Sequence, residues 1–297
     1  MTIETDFTPK EFLTSFIAEK LGGDINKLGT FSLHDLWQDK VYGCPGRKYD
    51  DDDTNLMRAI YLIVFPDAWP MMNKETLANY TYRGDTMNSF RTLFGNAGKS
   101  SPHEGLDRFN PPDGLGDRVV DFHENYCATI GNMMVLPNLV ASVPVNHRIC
   151  KKDAETQQLE WKDNWSWEPQ TINMYRGIHW RWHDFMDLFL TDLRELLITG
   201  KCEDKYLHRF IDANKEAFEP YRGIDGWRSF IDLNLLQGYV NDDYSIAHHS
   251  KGYFYWKTWD MTREQYLQEA DEYIRFADGL ISERSKQIIE KLKTKLY

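Results

Sequence analysis

TREQYLQEADEYIRFADGLISERSKQIIEKLKTKL, residues 262–296, is the stretch whose reading decides the fold. It reads as one long helix, or two, with a charged outer face, and its closing Lys291–Lys295 cluster suits a helix C-terminus. Upstream, Trp180–Ile198 places Phe185, Leu188, Phe189, Leu193 and Leu196 at helical spacing. Tyr206–Phe218 and Gly226–Tyr239 read as two more helices, and Asp243–Phe254 as a loop. At the other end, Thr8-Pro9 with Glu11 spells an N-cap, a first-turn proline and a capping box. The helix it opens shows Phe12, Phe16, Ile17 and Leu21 on one face and stops at Gly22-Gly23. Ser32–Gly43 reads as a second helix, and Thr54–Phe65 as a buried one closed by Pro66 and Pro70. Asp50–Asp53 between them reads as a solvated acidic run at a helix N-terminus.

The middle of the chain is less regular. Lys74–Phe94 reads as a helix broken near Arg83-Gly84-Asp85, Gly95–Gly116 as loop, and Asp117–Cys127 as helix. Met133–Leu136 is a short apolar strand, and Val140–Pro169 reads as irregular. The fold class is therefore mainly α. We expect a single large helical domain with a small irregular or β-containing insertion near residues 100–170. Its parts are a helical 1–95, an insertion 96–170 and a helical 171–297. The length, 297 residues, allows two domains, but no linker of flexible composition marks a boundary.

Composition narrows the function. There are 46 acidic against 35 basic residues, a net charge of −11, which disfavours broad nucleic-acid binding. The longest apolar run, Ala59–Phe65, is far too short to span a bilayer. The N-terminus lacks the pattern of a secretory signal, and the four cysteines are widely spaced, so a cytoplasmic protein without a disulfide framework is expected. With 10 Trp, 16 Tyr and 16 Phe the chain is aromatic-rich, which suits core packing.

Polar residues cluster beside turns. Arg83 and Asn88 fall in Tyr82–Ser89; Gly131-Asn132 makes a tight turn or close backbone approach before the strand; Asn173 and Arg176 fall in Thr171–Gly177. Arg176, between an Asn and a Gly at the entry to a long helix, is suited to fork a carboxylate or phosphate. Asp232, Asn234 and Gln237 are polar positions in an otherwise apolar helix, and buried polar groups need partners. His179, His183 and Asp187 share a helix face at a spacing that can hold a metal, although aromatic neighbours point to packing. No phosphate-binding glycine loop and no hydrolase nucleophile elbow is present.

At TIGNMMVLPN, TINMYRG, WRWHDFMDLFLTDLREL, SFIDLNLLQGYV and YIRFADGLISERSKQI the chain resembles an uncharacterised bacterial family of unknown function, over roughly residues 125–290 and less surely 80–95. The resemblance implies a soluble, largely helical domain and no particular reaction. The shared polar positions are Gly131, Asn173, Arg176, Gly177, Asp187 and Gln237. A second resemblance is to the distal half of His-Asn-His restriction-type nucleases. It rests on Asn125, Ile130-Gly131-Asn132, Leu136-Pro137 and Asn146, with His103 or His123 as the water-activating histidine it implies.

Three functional readings follow. One is a binding protein whose cleft, built from Arg83, Asn88, Asn132, Asn173, Arg176 and Gln237, takes a small polar or anionic ligand or a protein partner, without a cofactor. The second is a divalent-metal nuclease, in a phage-defence role, that uses His103 or His123 with Asn132 and Asn146. In the third the same residues only tie loops to helices.

Overall fold

Thr8 starts the first helix as its sequence requires. Its hydroxyl accepts from Glu11 N–H at 3.4 Å and donates to the Glu11 carboxylate, and Pro9 occupies the first turn. α1 (Pro9–Leu21) ends on Gly22, whose φ of 64° only glycine adopts cheaply. Its buried face is Leu13, Phe16, Ile17 and Leu21; Phe12 is half-buried against the Tyr42 ring at 5.1 Å. The computed structural model describes residues 8–44, 51, 54–69, 83–85, 128–135, 140–142, 145–152, 159–166, 169–171, 186–202, 207–208, 211–212, 214–247 and 263–297.

The expected helix over Ser32–Gly43 is instead a short 3-10 helix, Leu33–Leu36, followed by turns. The Asp39 carboxylate accepts from Val41 N–H at 2.8 Å and Tyr42 N–H at 2.9 Å, and this local bonding competes with the helical ladder. The chain folds back so tightly that a Cβ at Gly43 would lie 2.0 Å from the Leu36 carbonyl oxygen. Asp51, the described member of the acidic run, is not a freely solvated charge: it accepts from Trp37 Nε1 at 2.8 Å and pairs with His34 Nε2 at 3.1 Å. α2 (Asn55–Val64) follows, capped by the Thr54 hydroxyl on Met57 N–H at 3.2 Å. It buries Leu56, Met57, Ala59, Ile60, Tyr61, Ile63 and Val64, so it sits in the interior rather than on the surface.

β1 (Arg83–Asp85) pairs antiparallel with β2 (Met133–Val135), so the expected helix break at 83–85 is a strand. The stretch read as irregular carries β3 (Val140–Ser142), β4 (Val145–Lys152), β5 (Leu159–Ser166) and β6 (Pro169–Thr171). β3 pairs with β6 and β4 with β5 in one register, from Val140 opposite Thr171 to Lys152 opposite Leu159. These are two antiparallel two-stranded ladders that share one register. Alternation in Val-Asn-His-Arg-Ile-Cys and Leu-Glu-Trp-Lys-Asp-Asn-Trp supports them, over a segment too short to dominate composition. They supply the β part of the expected insertion.

Among the described residues the helices that follow are α3 (Met186–Thr199), α4 (Lys215–Phe218), α5 (Gly223–Leu233) and α6 (Arg263–Leu296). The helix expected over Tyr206–Phe218 is interrupted by a turn at Asn214, whose φ of −114° and ψ of 29° leave the helical range. The helix read as continuous to Tyr239 stops at Leu233. Leu236 N–H bonds the Ile231 carbonyl at 2.9 Å and Leu235 N–H the Asp232 carbonyl at 3.3 Å, with Leu235 at φ 56°. That is a Schellman stop built on leucine rather than glycine. A 3-10 turn, Gln237–Tyr239, follows.

α6 packs its inner stripe against the N-terminal elements. Ile274, Ala277, Ile281, Ile288 and Leu292 recur at three-, four- and seven-residue steps and are buried. Trp69 closes the core. Its ring meets Phe218 at 5.2 Å, Tyr221 at 5.3 Å and Phe230 at 6.2 Å, all edge-on, and its Nε1–H donates to the Val135 carbonyl at 3.0 Å. Among the described residues no helix is long and apolar enough to cross a membrane.

Candidate functional site

Two polar assemblies stand out, one inside and one at the surface. The inner one is centred on Arg284, which occupies the next step of the buried α6 stripe between Ile281 and Ile288 and is 2% exposed. Its Nη1 donates to the carbonyls of Gly131 at 2.8 Å and Met133 at 2.7 Å, and its Nε to the Asn234 carbonyl at 3.2 Å. The guanidinium lies 5.4 Å from the Phe65 ring centre. Burial pulls this group down to about 10, with the Tyr239 and Tyr61 hydroxyls acting in the opposite sense, so it stays charged at neutral pH. Among the described residues its hydrogen-bond acceptors are backbone carbonyls. The turn it grips is tight: a Cβ on Gly131 would lie 2.1 Å from the Ile281 carbonyl oxygen and 2.3 Å from Ser285 Oγ. The close backbone approach expected at Gly131 is thus its contact with α6.

The surface assembly is an open depression of about 650 Å³ lined by Gln237, Gly238, Val240, Asn241, Asp242, Asp243, Ser245 and Ala247. A turn makes its rim: Asn241 N–H bonds the Ser245 carbonyl and Tyr244 N–H the Asn241 carbonyl, both at 2.8 Å. Tyr244 adopts φ 61°, and four side chains hold it there. Its carbonyl accepts from Arg194 Nε at 3.2 Å and Trp227 Nε1 at 2.9 Å. Its hydroxyl donates to both Asp232 oxygens at 3.0 Å, and the Arg228 guanidinium lies 5.7 Å from its ring centre. Gln237 Nε2 donates to Asp232 Oδ1 at 3.2 Å. The Asp232 bond pushes the Tyr244 hydroxyl up, while Ser245, through its hydroxyl and its N–H, holds the Asp243 carboxyl down. The rim therefore carries the Asp243 carboxylate, held in its ionised form, on a turn that side-chain bonds fix in place.

The sequence-derived residues fall differently. Asn132 is fully buried in the turn that Arg284 grips, and Gln237 is exposed in the depression. Arg284 joins the Asn132 turn to Asn234, the residue that ends α5. The backbone of Arg83 lies on β1 opposite Val135, Asn146 lies on β4 opposite Trp165, and Asp187 lies in the first turn of α3. Asn88, His103, His123, Asn173, Arg176, His179 and His183 lie outside the described residues. Among the described residues no group of three or more His, Cys, Asp or Glu is placed to hold a metal. Sequence reading missed Arg284 and Tyr244. The signal for Arg284 was a lone arginine in step with the isoleucines of α6; no local signal marks Tyr244, whose partners lie 12 to 50 residues away.

Residues 159–288 match a family of unknown function (DUF6994). No curated protein and no solved structure matches the chain. The DUF6994 segment contains Asn173, Arg176, Asp187, Gln237, Tyr244 and Arg284, and it begins after the Gly131 turn that Arg284 holds. The match is consistent with an uncharacterised family and assigns no reaction.

Proposed function

We propose that this is a binding protein whose recognition surface is the depression at residues 237–247. The group it takes there is polar or positively charged, on a small molecule or a protein partner. The observation that carries the reading is the lining: amide, hydroxyl and carboxylate groups of Gln237, Asn241, Asp242, Asp243 and Ser245 face an open space above a braced turn. Bracing matters because groups ordered beforehand cost less to order on binding. The carboxylates turn the preference at this end towards cations. An anionic ligand is what the expected set Arg83, Asn88, Asn173 and Arg176 would take. No cofactor is part of this reading.

Thermal unfolding against spermidine, arginine, short Lys/Arg peptides, sugars, phosphate, citrate and nucleotides tests it. A ligand of the native state raises the midpoint by mass action, by about 2.7 kcal/mol of stability at a hundredfold excess over Kd. The expected result is a shift with a cationic or neutral polar compound that Asp242→Asn with Asp243→Asn abolishes. A shift with anions alone, lost in Arg176→Ala and kept in the Asp242/Asp243 variant, overturns it. Of the residues in the nuclease reading that the fold does not bury in the Arg284 turn, the described structure places only Asn146, on β4 opposite Trp165. The test of that reading is Mn²⁺-dependent plasmid cleavage lost in Asn146→Ala, and no cleavage ends it.

A further inference from the structure

We infer that the DUF6994 segment is an incomplete fold, and that its aromatic slot and the inner face of α6 form an interaction surface whose obligatory partner is the N-terminal part of the same chain. Three contacts carry this. First, Phe218, Tyr221 and Phe230 are at most 2% exposed, and the ring that fills the space between them is Trp69, outside the segment. Second, Arg284 spends two of its three hydrogen bonds on Gly131 and Met133, also outside it. Third, the α6 face seats Gly29 and Gly131 so closely that a Cβ on Gly29 would lie 2.9 Å from Ile289 Cδ1. The segment also ends at residue 288, inside α6, before the buried Ile289 and Leu292.

Interfaces between independent domains resemble transient protein contacts and are comparatively polar. This one is a buried aromatic cluster plus a buried guanidinium, two of whose acceptors belong to the other side. Separating the two sides would strand that charge at one end of its fork and leave the Gly131 and Met133 carbonyls without it, and such a boundary cannot open on its own. A chain reduced to the segment needs an aromatic side chain from elsewhere to fill the slot.

Native-state hydrogen exchange of the full chain in increasing urea tests the inference. The expected result is that core amides of α2, α5 and α6 merge into one opening with one urea slope. Trp69→Ala then lowers protection in all three helices by the same factor, on the order of a hundredfold or more. Trp69→Phe keeps a ring in the slot and removes only the N–H to Val135, so it gives the same comparison at a smaller common factor where Trp69→Ala does not yield folded protein. A loss confined to α2, with α5 and α6 protected as before, overturns the inference. So do two distinct openings in the unmodified chain. The inference does not depend on the proposed binding surface.

Discussion

Replacing Arg284 by methionine tests whether the inner clamp holds the fold together. Buried ions often contribute little, because several kcal/mol of desolvation offset the attraction, and an apolar substitute for a whole ion pair can even stabilise. That escape is closed here. The acceptors of Arg284 are backbone carbonyls of Gly131, Met133 and Asn234, which no side-chain substitution can remove. Methionine matches the stem and fills most of the space but leaves those carbonyls without this donor. Each buried group left unmade costs about 1–3 kcal/mol, and the relief from no longer burying a charge is set against their sum. The net expectation is a loss of about 3–5 kcal/mol for Arg284→Met. Arg284→Lys keeps the charge, but one ammonium cannot span three carbonyls as a planar fork does, so about half that loss is expected. Urea unfolding followed by tryptophan fluorescence measures both, as a fall in midpoint at unchanged slope. An Arg284→Met protein within about 1 kcal/mol of the parent, or more stable than it, would refute the argument, because desolvation would then outweigh the three bonds.

Three further outcomes follow from particular contacts. Gly131→Ala drives a methyl into the Ile281 carbonyl and Ser285 Oγ, so a loss of about 1–3 kcal/mol or more is expected, and Ser285→Ala does not restore it because the α6 backbone is the harder obstacle; full rescue in the double variant would sink that reading. Leu235→Gly relieves a left-handed backbone worth about 1–2 kcal/mol but empties a side chain only 6% exposed, whose removal costs about 2–5 kcal/mol, so burial wins and the urea midpoint falls; a rise in midpoint would reverse that ranking. At Asp39 burial pushes the carboxyl up, but the hydrogen bonds from Lys20, Tyr42 N–H and Val41 N–H outweigh it and the net shift is downward. The folded value lies below the unfolded one, so the contribution is full above the ordinary carboxyl range and is lost as pH falls through the folded value. Asp39→Asn should therefore flatten the acid limb of the stability curve below about pH 4, and an unchanged limb in urea titrations at several pH values would show that Asp39 is not a source of it.

Local chemistry was legible where one residue and its near neighbours decide the outcome. Thr8, Glu11 and Gly22 delimit α1, Thr54 starts α2, and Leu193 and Leu196 of the expected α3 stripe are buried. Reading failed where a side chain competes with the backbone at short range. Asp39 undoes the helix expected at Ser32–Gly43, and the amide of Asn234 turns back to the Phe230 carbonyl at 2.9 Å where α5 stops. The ladders at 140–171 were hidden for another reason. Strand pairing is settled by a partner 7 to 31 residues away, whereas the windows that reveal helices are shorter than that.

The candidate site divides along the same line. Gln237 was found because a glutamine in an apolar stretch is conspicuous, but the reason it is exposed is the stop at Leu235, which only the structure reveals. Asn132 was found with Gly131 as a turn signal and proves to be interior, held in a turn whose carbonyls serve Arg284. A polar residue among apolar ones therefore signals a fixed position without saying on which side of the surface it lies. What separates the two is the direction of demand. Around Asn132 a buried cation needs acceptors and takes them from the backbone. Around Gln237 the carboxylates of Asp242 and Asp243 stand at an open rim, and that excess of acceptors over donors is what the proposed recognition surface, unlike the clamp, presents to solvent.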